Sequence, residues 1–482
     1  MAYKHGLYGS LVQSDESITT SKTVPIYIGT APLQRIKSEN RVINKPLLIS
    51  NLEQAQIKLG YRQSDNFDEF TLSAVVFAHF ENKIEPIGPI VVVVLDTIDN
   101  AVSANATVEI VNGKGVIEGN ALIESIRITE KTLGVDYDLK YNESGVLEIS
   151  ELKEDEPLGE SIEVSYKKAD TSKITIENVI GSYDEETETR TGIQAIQDVY
   201  ETLNIIPEIV AAPGFSQKKE IEQALVKVTS KISDRWEAIC YTDIDSNEAD
   251  SREKAIKWKE DNKYNSKCEK TCWPKFVTGK KVLWASIVAV VRKLQTDAEN
   301  DGIPFESSSN KAIDIDGLIV KGKQIRFSQE KANELNEKGI TTAIYSGGKY
   351  VLWGPHMANY DYGTTSAVDE IFDVNIMMNK YLLNDFNYRN IDLIDKPMTR
   401  NDVDALIVAE QTILNSYVTA GQLLYGEIGF NNSNNSRSDM IQGDFTFDTL
   451  VTNTPPAKSI TQRVKATSKG IDNLYTEEEG DK

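Results

Sequence analysis

Three cysteines and three histidines are all that this chain of 482 residues offers to disulfide, thiolate or imidazole chemistry. Cys240, Cys268 and Cys272 are too few, and odd in number, for a disulfide framework, so they read as reduced thiols. Cys268 and Cys272 form a C-x-x-x-C pair, but a closed zinc site takes about four ligands and only His5, His79 and His356 could add imidazole. No metal and no cofactor is expected. Long apolar runs are also missing: Ile90 to Leu95 and Val282 to Val291 fall far short of the roughly 20 residues that span a bilayer. The opening MAYKHGLYGS lacks the apolar region of a signal peptide, so the chain reads as cytosolic when made. Basic residues are in deficit. Lys and Arg number 52 against 74 Asp and Glu, a formal charge of -22 that repels phosphate backbones and anionic membranes. Neither nucleic acid nor membrane is expected as a partner.

Catalytic patterns are equally thin. There is no G-x-S-x-G and no H-E-x-x-H, and the three histidines leave few bases to activate a nucleophile. Gly317 to Gln324 nearly matches a phosphate-binding loop, but Gln324 stands where a Ser or Thr must hold magnesium, and the alternating IDGLIVKGKQIRF predicts a hairpin rather than a strand-to-helix turn. Asp243, Asp245 and Asn247 imitate the start of a calcium loop. Glu248 then replaces the required Gly and Lys254 the closing Glu, so an acidic surface turn accounts for them. A carboxylate-pair mechanism has no sequence signature here, because 74 acidic residues make any pairing uninformative.

What remains is a globular chain. A hydrophobic fraction of 40% and a charged fraction of 26% suit packed cores, and the length suggests about three domains. The stretch Thr189 to Phe215 reads as a complete α/β unit. Ile193, Ile196, Val199, Tyr200 and Leu203 recur at helical steps, then Ile205 to Ala212 switches to a buried strand closed by Pro213-Gly214. Val24 to Pro32 and Ile90 to Leu95 are further buried strands, the second predicted to be central in a covered sheet. Leu47 to Leu59 reads as a helical segment capped near Ser50 and Asn51, and Thr71 to Phe80 as an apolar helix in which His79 packs rather than reacts. The charged stretch from Ser246 to Lys270 predicts a solvated outer helix. Val282 to Ala298, a helix capped by Ser328, and a long helix capped by Thr399 with Asp402 complete the main helical elements.

Between Thr97 and Lys173 short alternating segments separated by Gly, Asn and Asp predict an all-β insertion. The fold class is thus an α/β core of mixed sheet and helices, with an inserted all-β domain, an α+β C-terminal domain and extended arms at both ends. The boundaries expected are an arm over 1–23, a discontinuous core over 24–96 and 174–354, the insert over 97–173, the C-terminal domain over 355–454, and an arm with an acidic tail over 455–482. In that last arm SITQRVKAT alternates Ile460 and Val464 against Thr461 and Arg463, a strand that needs a partner from elsewhere.

The order of these segments resembles the contractile phage tail sheath family, including the sheaths of phage-tail-like bacteriocins. The resemblance runs through VPIYIGTAP, VVFAHFENKIEPIGPIVVVVL, the β insert with VDYDLKY and IEVSYKKAD, RTGIQAIQDVYETLNIIPEIVAAPGF, SQEKANELNEKGI with KYVLWGP, and GFNNSNNSRSDMIQGDFTF with PPAKSITQRV. One departure is Pro355-His356, where the family commonly has an Arg or Thr soon after Trp-Gly. The resemblance implies a structural subunit and no active site. Subunits would form stacked six-membered rings around a tail tube and contract to drive the tube through an envelope. It implies as partners the chain itself, the tail tube protein, and the baseplate and tail terminator proteins. It places the protein in the host bacterial cytoplasm during assembly and afterwards in a virion tail or released bacteriocin particle. It further implies that the C-terminal domain lies nearest the tube, that the insert faces outward, and that both arms donate strands to adjacent subunits. The candidate interface residues are then Leu7, Leu11 and Gln13 in the first arm and Ile460, Gln462, Val464 and Ala466 in the second. An α/β enzyme with a carbohydrate-binding β insert is the alternative, marked by a pocket with convergent carboxylates.

Overall fold

Five residues in a row, Ile90–Val94, are aliphatic and wholly buried, and a strand can hide both faces only when layers cover both sides of its sheet. The computed structural model, which describes residues 19–99, 101–153, 155, 157–365 and 367–471, supplies those layers. Its largest sheet has eight strands in the order Lys349–Trp353, Ile340–Ser346, Glu269–Cys272, Ile239–Asp243, Ile209–Ala211, Pro25–Gly29, Ile90–Val94 and Pro46–Ile49. The neighbours are parallel except at the two ends, where Lys349–Trp353 and Pro46–Ile49 run antiparallel. Helices Thr71–Phe80 and Ala285–Ala298 close one face around Tyr27, Val92 and Tyr241. Lys219–Ser230 and the turn at Gly192–Asp198 close the other around Ile26, Val91 and Trp236.

Several expectations shift in detail. Ile90–Val94 lies one strand in from the sheet edge rather than at its centre, and its burial comes from the helices above and below. The strand foreseen from Ile205 shrinks to Ile209–Ala211, since Pro207 has no N–H to give a ladder. The helix foreseen from Ile193 is a 3-10 turn, Gly192–Asp198, followed by one α turn, Val199–Leu203. Leu47 to Ile49 joins the edge strand instead of the helix, which begins at Leu52 with Asn51 as its cap. The charged segment is no outer helix throughout: Arg252–Asn262 buries Ala255, Trp258 and Lys259 on one face, and Glu269–Cys272 is an interior strand.

The described residues of 102–168 hold strands and one short 3-10 turn, in two antiparallel three-stranded sheets. They enclose an apolar cluster of their own, including Val108, Ile117, Tyr137, Leu147, Ile149 and Val164. After the sheet, helix Asp373–Arg389 bridges two regions. Ile376 and Met377 pack into the large core, whereas Met378 belongs to a cluster built with Leu406, Leu414 and Tyr417 of helix Arg400–Thr419 and with Leu423 and Ile428. Thr399 and Asp402 close the predicted capping box of the second helix. No helix among the described residues is long and apolar enough to cross a membrane.

Candidate functional site

The terminal hairpin of strands Leu423–Gly429 and Asp448–Asn453 is the one part of the described chain that combines an open sheet with an exposed tail. Alternation splits its two faces. Leu423 and Ile428 turn inward against helix Arg400–Thr419, while Leu424, Tyr425 and Leu450 turn out. The hairpin forms a two-stranded sheet with no third strand among the described residues. Between it and the bridging helix runs a groove of about 440 Å³, lined by Leu382, Leu383, Phe386, Thr449 and Val451 among others. The loop joining the strands is closed by Asn435, whose buried amide accepts from the Thr446 N–H at 2.7 Å and donates to the Thr446 carbonyl at 2.8 Å.

This region is fastened to the sheet by polar contacts that sequence reading did not reveal. Lys270, fully buried in an interior strand, pairs with Asp373 at the start of the bridging helix and donates to the Gly354 carbonyl at 2.9 Å. Further along, Asn384 accepts from the Glu237 N–H at 3.0 Å and donates to its carbonyl at 2.8 Å, and Lys380 bonds the Glu237 carboxylate at 2.6 Å. The partners lie 84 to 147 positions apart in sequence, so no local pattern could have signalled them.

Of the predicted interface residues, Leu7, Leu11 and Gln13 lie outside the described residues. Ile460, Gln462, Val464 and Ala466 are all exposed, Ile460 by 88% and Val464 by 83%. The predicted strand over SITQRVKAT is not formed: residues 459–467 have no regular structure in the single chain, which gives their N–H and C=O groups no ladder partner.

The chemical candidates resolve structurally. Asp243 is no surface-turn residue: it is 4% exposed and accepts from the Ser286 N–H at 2.9 Å and from its hydroxyl at 2.5 Å, holding the start of helix Ala285–Ala298. Burial pushes its carboxyl up to about 6 against those bonds. Gly317–Val320 and Lys323–Ile325 form the predicted hairpin. His79 is buried between the Tyr27 hydroxyl at 2.8 Å and the Ile87 carbonyl at 3.0 Å. His356, at the departure noted above, is 3% exposed, stacks on Tyr360 and bonds the Ile371 carbonyl. Burial lowers both imidazoles to about 4.

The described residues therefore define a layered α/β protein bearing an open hairpin and a free, alternating tail. No family model matches the sequence. Individual relatives do. The chain is 22% identical over 325 residues to the tail sheath protein of Burkholderia phage BcepMu, a match covering 65% of this chain and 66% of that protein. It is 24% identical over 316 residues to a putative prophage major tail sheath protein of Pseudomonas aeruginosa, covering 64% of this chain and 78% of the other. In fold it resembles a chain of the contracted helical sheath of the anti-feeding prophage, with a TM-score of 0.56 at 13% identity over 96% of this chain and 100% of that one. In sequence and in fold the chain is thus similar to contractile tail sheath proteins, the family its segment order resembles.

Proposed function

We propose that this protein is the structural subunit of a contractile tail sheath, polymerising as stacked hexameric rings around a tail tube and contracting to drive that tube through a target envelope. The observation that carries the reading is the conjunction of sheath-protein sequence relatives with a sheath fold across nearly the whole chain. The open hairpin and the exposed Ile460 and Val464 support it, because backbone addition of an arm to a neighbour's sheet needs both. Conformational work without fuel is stored at assembly, as a free-energy difference between two packings of the same subunits. The role is structural rather than catalytic, and its partners are further copies of the chain, the tube protein, and baseplate and terminator proteins. The charge of -22 argues against nucleic acid and anionic membrane. The particle would be built in the bacterial cytoplasm and act as a virion tail or a released bacteriocin. The domain division is proposed as expected above: core over 24–96 and 174–354, insert over 97–173 facing outward, and 355–454 nearest the tube, between the two arms.

Electron microscopy of the purified protein tests this directly, with hollow cylinders or rings as the expected result and only discrete particles as the result against it. Deleting Pro455 to Lys482 should leave a subunit that melts cooperatively yet forms no cylinder. Cylinders of ordinary length from that variant would contradict the role given to the arm.

A further inference from the structure

The all-β insert meets the core at the tip of one hairpin. Strands Tyr137–Tyr141 and Leu147–Glu151 are joined by a turn in which the Gly145 N–H donates to the Asn142 carbonyl at 2.9 Å and the Asn142 N–H to the Val146 carbonyl at 3.0 Å. Gly145 has a φ of +74° and lies against the Arg35 guanidinium of the core: a Cβ there would meet Arg35 Nη2 at 2.5 Å and Cζ at 2.6 Å. The guanidinium is not free to step aside. Its Nη1 donates to the Asp65 carboxylate at 2.5 Å and to the Gly60 carbonyl at 2.9 Å. Asp65 is held in turn by the Ser73 hydroxyl at 2.7 Å and the Arg62 N–H at 3.0 Å.

Around that contact the two bodies touch through polar groups. The Ser64 hydroxyl donates to the Ser144 carbonyl at 2.7 Å, and the Tyr141 hydroxyl, bonded to the Ala121 carbonyl of the insert, lies 3.2 Å from the Gln34 carbonyl of the core. Asn120 accepts from the Gln34 amide at 3.2 Å and donates to the Glu69 carboxylate at 2.9 Å. None of the buried residues clustered inside the insert belongs to either of the two large core clusters. Docking also carries a cost. Arg35 Nε is buried and finds no acceptor among the described residues, and water would satisfy it once the turn lifted. Beside the contact an open cleft of about 540 Å³ separates Gln56 and Arg62 of the core from Lys140 and Glu143 of the insert. A polar contact between two bodies of one chain leaves relative motion as the expected behaviour unless a specific feature fixes them.

We propose that Arg35 and the turn Asn142–Gly145 form a releasable latch. Closed, it fixes the orientation of the insert on the core; open, it lets the insert pivot as one body on the two chain crossings near Asp96 and Ile174. Arg35 is the positioning residue, held in place by Asp65 and Gly60 whether or not the turn is seated. A subunit built in this way can reorient its insert without breaking either apolar interior. The latch is a property of the single chain, so its test does not depend on the sheath reading.

Spin labels at Ile57→Cys in helix Leu52–Leu59 and Val116→Cys in strand Lys114–Ile117, both exposed, read the distance between the two bodies, with the half-buried Cys268 changed to Ser. This labelled chain should give one narrow distance. Gly145→Asn then adds a Cβ and an amide against Arg35 through a residue that accepts the left-handed backbone. Gly134→Asn, at a φ of +77° with nothing within 4 Å, is the control in the same insert. The expected result is loss of the single distance in Gly145→Asn and its retention in Gly134→Asn, with the cooperative melting of the core unchanged in both. Tyr141→Phe removes the hydroxyl near Gln34 without adding bulk, so it should broaden the distance even where Gly145→Asn fails to fold. One narrow distance in both Gly145→Asn and Tyr141→Phe, equal broadening in Gly134→Asn, or a broad distribution before any of these changes overturns the latch.

Discussion

At the residue scale, buried charge gives the subunit a pH signature. Glu269 is fully buried and Glu222 is 4% exposed, and the two carboxyls face each other across strand Glu269–Cys272 and helix Lys219–Ser230. For Glu222, burial and then the charge of Glu269 hold the carboxyl above its ordinary range. For Glu269, burial does the same against the Thr242 hydroxyl at 2.6 Å and the Lys259 ammonium. A carboxyl raised in the folded state keeps a proton that the unfolded chain has already lost. The penalty is therefore absent at pH values below the ordinary 4.5 and grows as pH rises through neutrality. Glu222→Gln keeps the shape and removes one charge. Its melting temperature should match wild type near pH 5 and exceed it increasingly toward pH 8, by about 1–2 kcal/mol of stability. A difference independent of pH would mean that the two carboxyls share no proton. None of this was legible in the sequence, where Glu222 and Glu269 are two acids among 74. The same holds for Asn435, whose role depends on which strand the fold brings to its amide. His79 was legible as a packed residue because it sits in an unbroken apolar helix.

Local chemistry explains most of what could be read at the scale of elements. Helix Thr71–Phe80 appears with the predicted ends, and Ser328 and Thr399 cap as expected, because a cap is decided within four residues of chain. Leu47 to Ile49 forms strand where the spacing predicts helix, because three apolar residues fit a helix stripe and a strand equally well. Helix Arg252–Asn262 was read as solvated because most of its residues are charged, yet Ala255, Trp258 and Lys259 share one face and that face is buried. At Thr399 the hydroxyl accepts from the Asp402 N–H at 3.4 Å and the Asp402 carboxylate accepts from the Thr399 N–H at 2.8 Å. Thr399→Ala should cost about 1 kcal/mol, read by denaturant unfolding with an unchanged slope. A loss within experimental error would mean the cap is replaced by water at no cost, as its exposed position would then suggest.

At the scale of the molecule, the composition predicted large cores and the texture of segments predicted where strands and helices alternate, but strand order was out of reach. Pairing between Glu269–Cys272 and Ile340–Ser346, nearly 70 residues apart, depends on tertiary placement that no local window records. The segment 97–173 is the sharpest whole-molecule test. Its apolar cluster is separate from the large core, and apart from Ile98, which packs on that core at the junction, its links to the core are polar, among them Arg41 with Glu124 at 2.6 Å, Gln34 with Asn120 at 3.2 Å, and the Ser64 hydroxyl with the Ser144 carbonyl at 2.7 Å. Removing the segment exposes these core groups to water, which satisfies them, and leaves the buried Arg35–Asp65 pair with both its members. Replacing Thr97 to Lys173 by a short flexible linker should therefore give a core that still unfolds in one cooperative transition. The melting temperature should fall by only about 1 °C for each kcal/mol by which the shortened chain is less stable, because the unfolding entropy grows with chain length. A product that binds a hydrophobic dye and melts without a sharp transition would show that the two apolar clusters fold only together.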